Sequence, residues 1–246
     1  MLLVLMYHRV SDPNFTVGVA EFKQHLLQLC ANYHITTPGE PLHNSKLSIC
    51  LTFDDAYYDF YHDVFPLLQQ LNIKAVLGIP TKYIVASTTL AARARLTVPY
   101  PTGMEDNLYN TRVPFCTWDE IKTMVASGQV IAASHSHSHA DLTDPATCLT
   151  QECLDSKNML EQQLQIPINT FIYPYGKMNR TIHSQVAKYY DYVMRIGSAG
   201  NKNWLHPDKL IYRVDADYFW KYSRTISKTQ LATYQIKYLL NRLRFK

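Results

Sequence analysis

The sequence predicts an α/β fold: a parallel sheet with crossover helices, closed or nearly closed as a barrel, in a single domain. Three observations predict it. Apolar runs of strand length alternate with stretches of helical periodicity along most of the chain. Several runs are apolar throughout, as strands buried on both faces require. The length, 246 residues, suits one α/β barrel and leaves little room for a second domain.

Each element has its own signal. Met1–Tyr7 is a continuous apolar strand. Ser11–Gly18 is loop, with Asp12-Pro13-Asn14 as a turn signal. Val19–Tyr33 is helical, because Phe22, Leu26, Leu29 and Cys30 fall on one face. Leu47–Phe53 is the second strand, and Asp54-Asp55 ends it. Tyr58–Leu71 is helical, with Pro66 either kinking it or starting a new segment. Lys74–Ile79 is the third strand. Pro80–Thr117 then breaks the pattern with four prolines, a long insertion after the third strand.

Alternation resumes at Trp118–Ser127, a helix with Thr117 at its N-cap and Gly128 as its stop. Val130–Ala133 is a strand that runs into Ser134-His135-Ser136-His137-Ser138-His139. Pro145–Leu164 is helical. Thr170–Tyr173 is a strand that leads into Pro174-Tyr175-Gly176. Thr181–Tyr190 is a helix, Tyr192–Ile196 and Ile211–Val214 are short strands, and Thr229–Leu243 is a terminal helix. No repeat or low-complexity linker interrupts the series.

Composition excludes several function classes. A hydrophobic fraction of 47% and a charged fraction of 18% are those of a globular chain, not a disordered one. A formal charge of +4 is too small to mark a nucleic-acid binder. Eight glycines argue against a glycine-rich phosphate cradle. Five cysteines, none in C-x-x-C spacing, argue for reduced thiols rather than a disulfide framework or a cysteine zinc site. No apolar run reaches transmembrane length, and Met1–Met6 lacks the form of a signal peptide. The expectation is a cytoplasmic protein.

The polar residues fall at strand ends: His8 after the first strand, Asp54 and Asp55 after the second, His135 and His139 after a later one, and Tyr175 after another. In parallel α/β barrels, active sites are built on that edge. His135 and His139, four residues apart, are spaced to share a metal, and imidazole suits Zn²⁺, Fe²⁺, Co²⁺ or Ni²⁺. His137 between them points elsewhere. The plainer reading of this run is a solvated polar loop. Adjacent carboxylates after an apolar strand are costly unless each has a task. One can complete the metal site while the other takes a proton from attacking water. The plainer reading of Asp54-Asp55 is a helix N-cap pair. A hydrolase of this kind also needs a proton donor for the leaving group. His8 is the candidate and His206 its rival. Pro174-Tyr175-Gly176 is a tight turn whose N–H groups can face an oxyanion, or an ordinary turn.

Together these residues resemble the polysaccharide deacetylase family, also called carbohydrate esterase family four or the chitooligosaccharide-deacetylase homology domain. The resemblance runs from His8 to about Trp220. Thr52-Phe53-Asp54-Asp55-Ala56 is similar to the family's T-F-D-D-G motif, which implies Asp54 as catalytic base and Asp55 as metal ligand. Ser134–Leu142 resembles S-H-[ST]-x-x-H-P-D-L. That implies His135 and His139 as the other ligands and Ser136 as a brace for the loop. Phe171-Ile172-Tyr173-Pro174-Tyr175-Gly176 resembles F-R-x-P-Y-G, implying the Tyr175 N–H as oxyanion donor.

Three departures stand out. Ala56 replaces a glycine, which limits local backbone freedom. Ile172 replaces the arginine that holds the base, and Arg213 on a neighbouring strand is the candidate substitute. The late leucine-x-histidine motif is missing, and Leu5-Met6-Tyr7-His8 supplies it from the other end. That order resembles the circularly permuted branch, which includes bacterial poly-N-acetylglucosamine deacetylases. The resemblance implies a distorted (β/α)₇ barrel, a divalent cofactor such as Zn²⁺, and hydrolysis of an N-acetyl group. In that reaction Asp54 acts as base and His8 protonates the departing amine. The implied partner is an N-acetylated sugar, oligosaccharide or lipid-linked sugar. Two other classes stay open: a metal amidohydrolase for a small amide, and a silent carbohydrate-binding relative.

Sugar clefts use aromatic faces, which makes Tyr57, Tyr58, Tyr61, Tyr109, Trp118 and Trp220 candidates beside ordinary core packing. Residues 218–246 carry seven basic and no acidic residues, while residues 1–217 carry 17 basic and 20 acidic. A basic amphipathic tail either lies on an anionic membrane or covers the barrel with solvated charges.

Overall fold

Strands buried on both faces pair in parallel, and the pairing closes on itself. The computed structural model describes residues 1–10, 18–100, 102–217 and 225–244. Its elements are β1 (Leu2–Tyr7), α1 (Val19–Asn32), β2 (His34–Ile35), β3 (Ser48–Phe53), α2 (Phe65–Leu71), β4 (Ala75–Ile79) and α3 (Ala92–Leu96). Then follow α4 (Trp118–Ala126), β5 (Val130–Ser134), α5 (Ser156–Leu164), β6 (Thr170–Ile172), α6 (Arg180–Val186), β7 (Tyr192–Ile196), β8 (Leu210–Asp215) and α7 (Lys228–Arg244).

The sheet runs β1-β8-β7-β6-β5-β4-β3, and β1 also pairs with β3, which closes a seven-stranded parallel barrel. The two-residue strand β2 adds to the start of β3. The barrel is distorted where pairing thins. β3 meets β4 only at Thr52–Val76 and Phe53–Leu77, and β5 meets β6 only at Ser134–Phe171.

Alternation along the strands separates two cores. Leu2, Val4, Cys50, Val76, Ala133, Ile172, Met194 and Ile211 fill the barrel interior. Leu3, Leu5, Ile49, Leu51, Phe53 and Leu77 face outward, into the layer beneath the helices. The same alternation carries Asp54, His135 and Arg213 to the inner side.

The structure revises several boundaries. β2 is too short to show a period and adds to the barrel from outside, so the insertion follows β4, the third barrel strand in chain order, as expected. The helix expected over Tyr58–Leu71 is continuous, but it widens into a π-turn at Phe60–Val64, just before Pro66. Proline inside a helix has no N–H to donate and crowds the preceding turn, and the wider π-turn accommodates it. The Pro145–Leu164 helix likewise begins only at Thr150, again as a π-turn. Thr117 caps α4 in a full capping box with Glu120. All five cysteines are free.

Two buried arginines tie the insertion down. Arg95 donates to the carbonyls of Val113 and Phe115 at 2.8 and 2.7 Å and pairs with Glu120 at 2.6 Å. Its guanidinium lies 3.5 Å from the centre of the Tyr58 ring. Arg9 donates to the carbonyls of Val98 and Leu96. These contacts hold the Tyr100 ring 6.3 Å from that of His8.

Candidate metal centre and active site

Strand register brings the candidate residues to one rim. Tyr7 pairs with Phe53, and the Asp54 N–H donates to the Tyr7 carbonyl at 2.9 Å, so His8 and Asp54 leave adjacent strands side by side. Met6 pairs with Asp215, which sets Asp217 opposite His8. β5 delivers His135 beside the end of β4, where its N–H donates to the Ile79 carbonyl.

Asp55, His135 and His139 are all buried, and their candidate ligand atoms lie within 4.8 Å of one another. Asp55 Oδ1 is 3.5 Å from His135 Nε2 and 3.3 Å from His139 Nε2. Two ligands about 2.0–2.2 Å from a tetrahedral ion are roughly 3.3–3.5 Å apart, so these separations suit one shared ion. Both Asp55 carboxylate oxygens are buried with no hydrogen-bond donor. Such a group is costly unless a cation meets it. His135 Nδ1 lies 2.9 Å from the Ile172 carbonyl, which assigns the proton to Nδ1 and leaves the Nε2 lone pair toward Asp55. Burial pulls the His139 imidazole down to about 4 despite Asp55 beside it, so the ring is neutral, as a ligand must be. These residues fit a divalent ion.

His137 turns away, its Nδ1 2.9 Å from Thr81 Oγ1. The loop is braced mainly by Glu152, a residue that sequence reasoning passed over. Its carboxylate accepts from the N–H groups of His137 and Ser138 and from the Ser138 hydroxyl, at 3.0, 2.8 and 2.6 Å. Ser136 belongs to the same brace: its side chain lies toward Glu152, and its carbonyl accepts from Ser156 Oγ at 3.0 Å.

Asp54 is clamped by Arg213. Two parallel bonds join the groups, Nη1 to Oδ1 at 2.6 Å and Nη2 to Oδ2 at 2.8 Å, and both side chains are buried. Burial alone would raise the Asp54 carboxyl. The Arg213 charge and bonds, with His135 and His8 nearby, overcome this and hold it below the usual carboxylate range. Ile172 lies inside the barrel, where a Cβ added at Gly78 would meet it at 3.1 Å and Asp54 Oδ1 at 3.5 Å. The guanidinium that Ile172 lacks thus arrives from β8.

His8 is held by Asp217, another residue not singled out from sequence. One Asp217 oxygen accepts the His8 N–H at 2.8 Å, and the other lies 2.6 Å from Nδ1. Burial would lower the imidazole. The Asp217 bond and charge, helped by Asp54 and Asp55, instead raise it to about 9. His206 pairs with Asp208 beside Tyr238 of α7, away from these residues.

Five residues of the rim hold positive φ without being glycine: Asp55, Ala56, Ser136, His139 and Tyr175. Backbone strain of this kind concentrates where function fixes geometry. Tyr175 has φ 57°, and among the described residues its N–H donates to no backbone carbonyl. Its ring is 59% exposed and stands edge-on to His139 with centroids 4.6 Å apart. Of the aromatic candidates, Tyr57, Tyr58 and Trp118 are buried core, Tyr61 and Tyr109 pack against that core, and Trp220 lies outside the described residues.

A polysaccharide deacetylase family model matches residues 43–194. YxkH of Bacillus subtilis (strain 168), which carries the same family term, is 27% identical over 188 residues, or 72% of this chain and 58% of its own length. The poly-beta-1,6-N-acetyl-D-glucosamine N-deacetylase of Escherichia coli O157:H7 is 28% identical over 57% of this chain and 23% of its own length. The chain thus matches little more than half of the first relative and under a quarter of the second. The fold is shared with the Streptococcus pyogenes deacetylase PplD, solved in complex with acetate: TM-score 0.68, 22% identity, 95% of this chain and 97% of that one. His8, Arg213 and Asp217 lie outside the matched residues 43–194, on or just past the two strands that close the barrel. By the model match, and in keeping with the fold, the chain belongs to the polysaccharide deacetylase family.

Proposed function

We propose that the chain is a divalent-metal-dependent carbohydrate N-deacetylase that hydrolyses the N-acetyl group of an N-acetylhexosamine unit in a glycan or a lipid-linked sugar. The observation that carries this reading is the division of labour between two adjacent carboxylates. Asp55 faces two imidazoles with both oxygens lacking donors, while Asp54 is turned away to Arg213. Bound by Asp55, His135 and His139, a divalent ion (Zn²⁺, with Co²⁺, Ni²⁺ or Fe²⁺ as alternatives) supplies Lewis acidity toward the acetyl carbonyl and the attacking water.

The remaining work belongs to the chain. Asp54, kept ionised and oriented by Arg213, accepts the proton of the attacking water. The Tyr175 N–H donates to the oxyanion that forms on the acetyl group. His8, kept protonated by Asp217, delivers its proton to the departing amine. Products are acetate and a free amino sugar. The Tyr175 ring shields His139, and Tyr100 on the insertion lines the side next to His8. The N-acetylglucosamine specificity in the name of the Escherichia coli relative supports an N-acetylhexosamine substrate. The pairing of Arg213 with Asp54 supports an active enzyme over a silent relative.

The test is acetate release from N-acetylhexosamine oligomers by purified protein, with metal content measured in the same preparation. Release that depends on metal is expected. Metal-loaded protein that frees no acetate from any such oligomer, yet cleaves small cyclic amides, would transfer the site to another amidohydrolase class.

A further inference from the structure

The terminal helix α7 has two apolar faces, and the fold uses only one. Its inner face carries Leu231, Tyr234 and Tyr238, spaced at i, i+3 and i+7. Tyr238 packs edge-on against Tyr212 of β8, Asn241 donates to the Gly197 carbonyl, and Arg242 pairs with Asp208. The helix is therefore fixed to the outside of the barrel, as a covering helix would be. Its outer face is nevertheless apolar. Ile236, Leu239, Leu240 and Leu243 are 58%, 57%, 41% and 80% exposed. At 3.6 residues per turn these four span about 100° of the helix surface, a continuous stripe.

The charges around the stripe favour one kind of partner over another. Lys228 and Lys237 are exposed on either flank, and Lys202 stands exposed on the neighbouring loop. The helix contains no acidic residue. Two copies meeting on this face would oppose lysine to lysine with no carboxylate on the helix to pair them. An anionic bilayer surface supplies both requirements: acyl chains for the leucines and phosphate for the lysines. We propose that the outer face of α7 is a peripheral docking surface for membranes rich in anionic lipid. This inference stands apart from the deacetylase reading, because none of its residues belongs to the catalytic rim. The helix lies in the interface and does not cross it; among the described residues no helix is long and apolar enough to span a membrane.

The experiment is co-sedimentation of the whole protein with phosphatidylcholine vesicles, with and without one third phosphatidylglycerol. Pelleting with the anionic vesicles, weakened by added salt, is expected. Leu239→Glu with Leu243→Glu should cut that binding about tenfold or more, and Lys228→Glu with Lys237→Glu should do the same without touching the stripe. Both variants should keep the wild-type melting temperature, since the altered side chains face outward. Equal binding to both vesicle types, no binding to either, or binding unchanged in the leucine variant would each overturn the proposal. So would a dimer in light scattering that the leucine variant dissolves, which would assign the stripe to a second copy of the chain.

Discussion

At the scale of single residues, the site rests on which charge each buried group faces. Asp54→Asn keeps shape and the Arg213 contact on one side but cannot accept a proton. Turnover should fall by about 10²–10⁴-fold, with metal content unchanged. Retained activity would remove Asp54 from the base role. Arg213→Lys keeps the charge but loses the paired geometry, and it should lower kcat while leaving metal bound. The Asp217–His8 pair makes a pH prediction. His8 is raised to about 9, above its ordinary value of 6.5, so its protonated form is favoured in the folded chain. The stability this contributes is complete below the ordinary value and is lost as pH rises through about 9. Asp217→Asn removes the charge, so the alkaline limb of the rate profile should move to lower pH by roughly one unit or more. A profile that stays in place would return the proton to another donor. Asp54 and Asp55 were legible because two adjacent carboxylates after an apolar strand demand an explanation. Asp217 was not, since the spaced acids of Asp215-Ala216-Asp217 carry no signal until β8 is known to lie against β1.

At the scale of elements, loops and turns hold these residues in strained positions, and the bracing is concentrated. Glu152 alone accepts from two N–H groups and one hydroxyl of the histidine loop. Glu152→Ala leaves those donors without their acceptor and frees the loop that carries His139. Metal affinity should weaken by about 10–100-fold, measured by titration, with the barrel still folded. Unchanged affinity would show that the strands alone position the ligands. Ala56 has φ 54°, a conformation glycine adopts without strain. Most strand and helix positions followed from apolar periodicity, and the N-cap at Thr117 from its residue type, while the Glu120 half of its capping box appears only in the structure. The π-turns before α2 and α5 did not, because an i→i+5 turn leaves no periodic trace in so few residues. The insertion was legible as a break in pattern. Its internal order depends on Arg9 and Arg95, whose partners are backbone carbonyls that no sequence motif encodes.

At the scale of the whole molecule, barrel closure and site assembly are one event. β1 pairs with both β3 and β8, so the strand that begins the chain joins the halves that carry Asp54 and Arg213. The sequence order of elements implies a parallel barrel, but closure through the first strand becomes visible only in the pairing. The ligand cluster then links metal binding to global stability. Asp55 is buried, faces His135 and His139, and has no donor on either oxygen. His139 Nδ1 is likewise buried without a partner. These groups exist together only in the folded chain, so an ion they hold binds the native state and not the unfolded one. At a free concentration about 100 times its Kd, such an ion stabilises the native state by about 2.7 kcal/mol. For a chain of this size each kcal/mol raises Tm by about 2–4 °C, so a rise of roughly 5–10 °C is expected on loading, reversed by a chelator. His135→Ala should abolish the shift, while Asp54→Asn should retain it, because Asp54 is bound to Arg213 rather than to the cluster. If Zn²⁺, Co²⁺, Ni²⁺ and Fe²⁺ all leave Tm unmoved, or the shift survives in His135→Ala, the Asp55–His135–His139 cluster is not the metal centre.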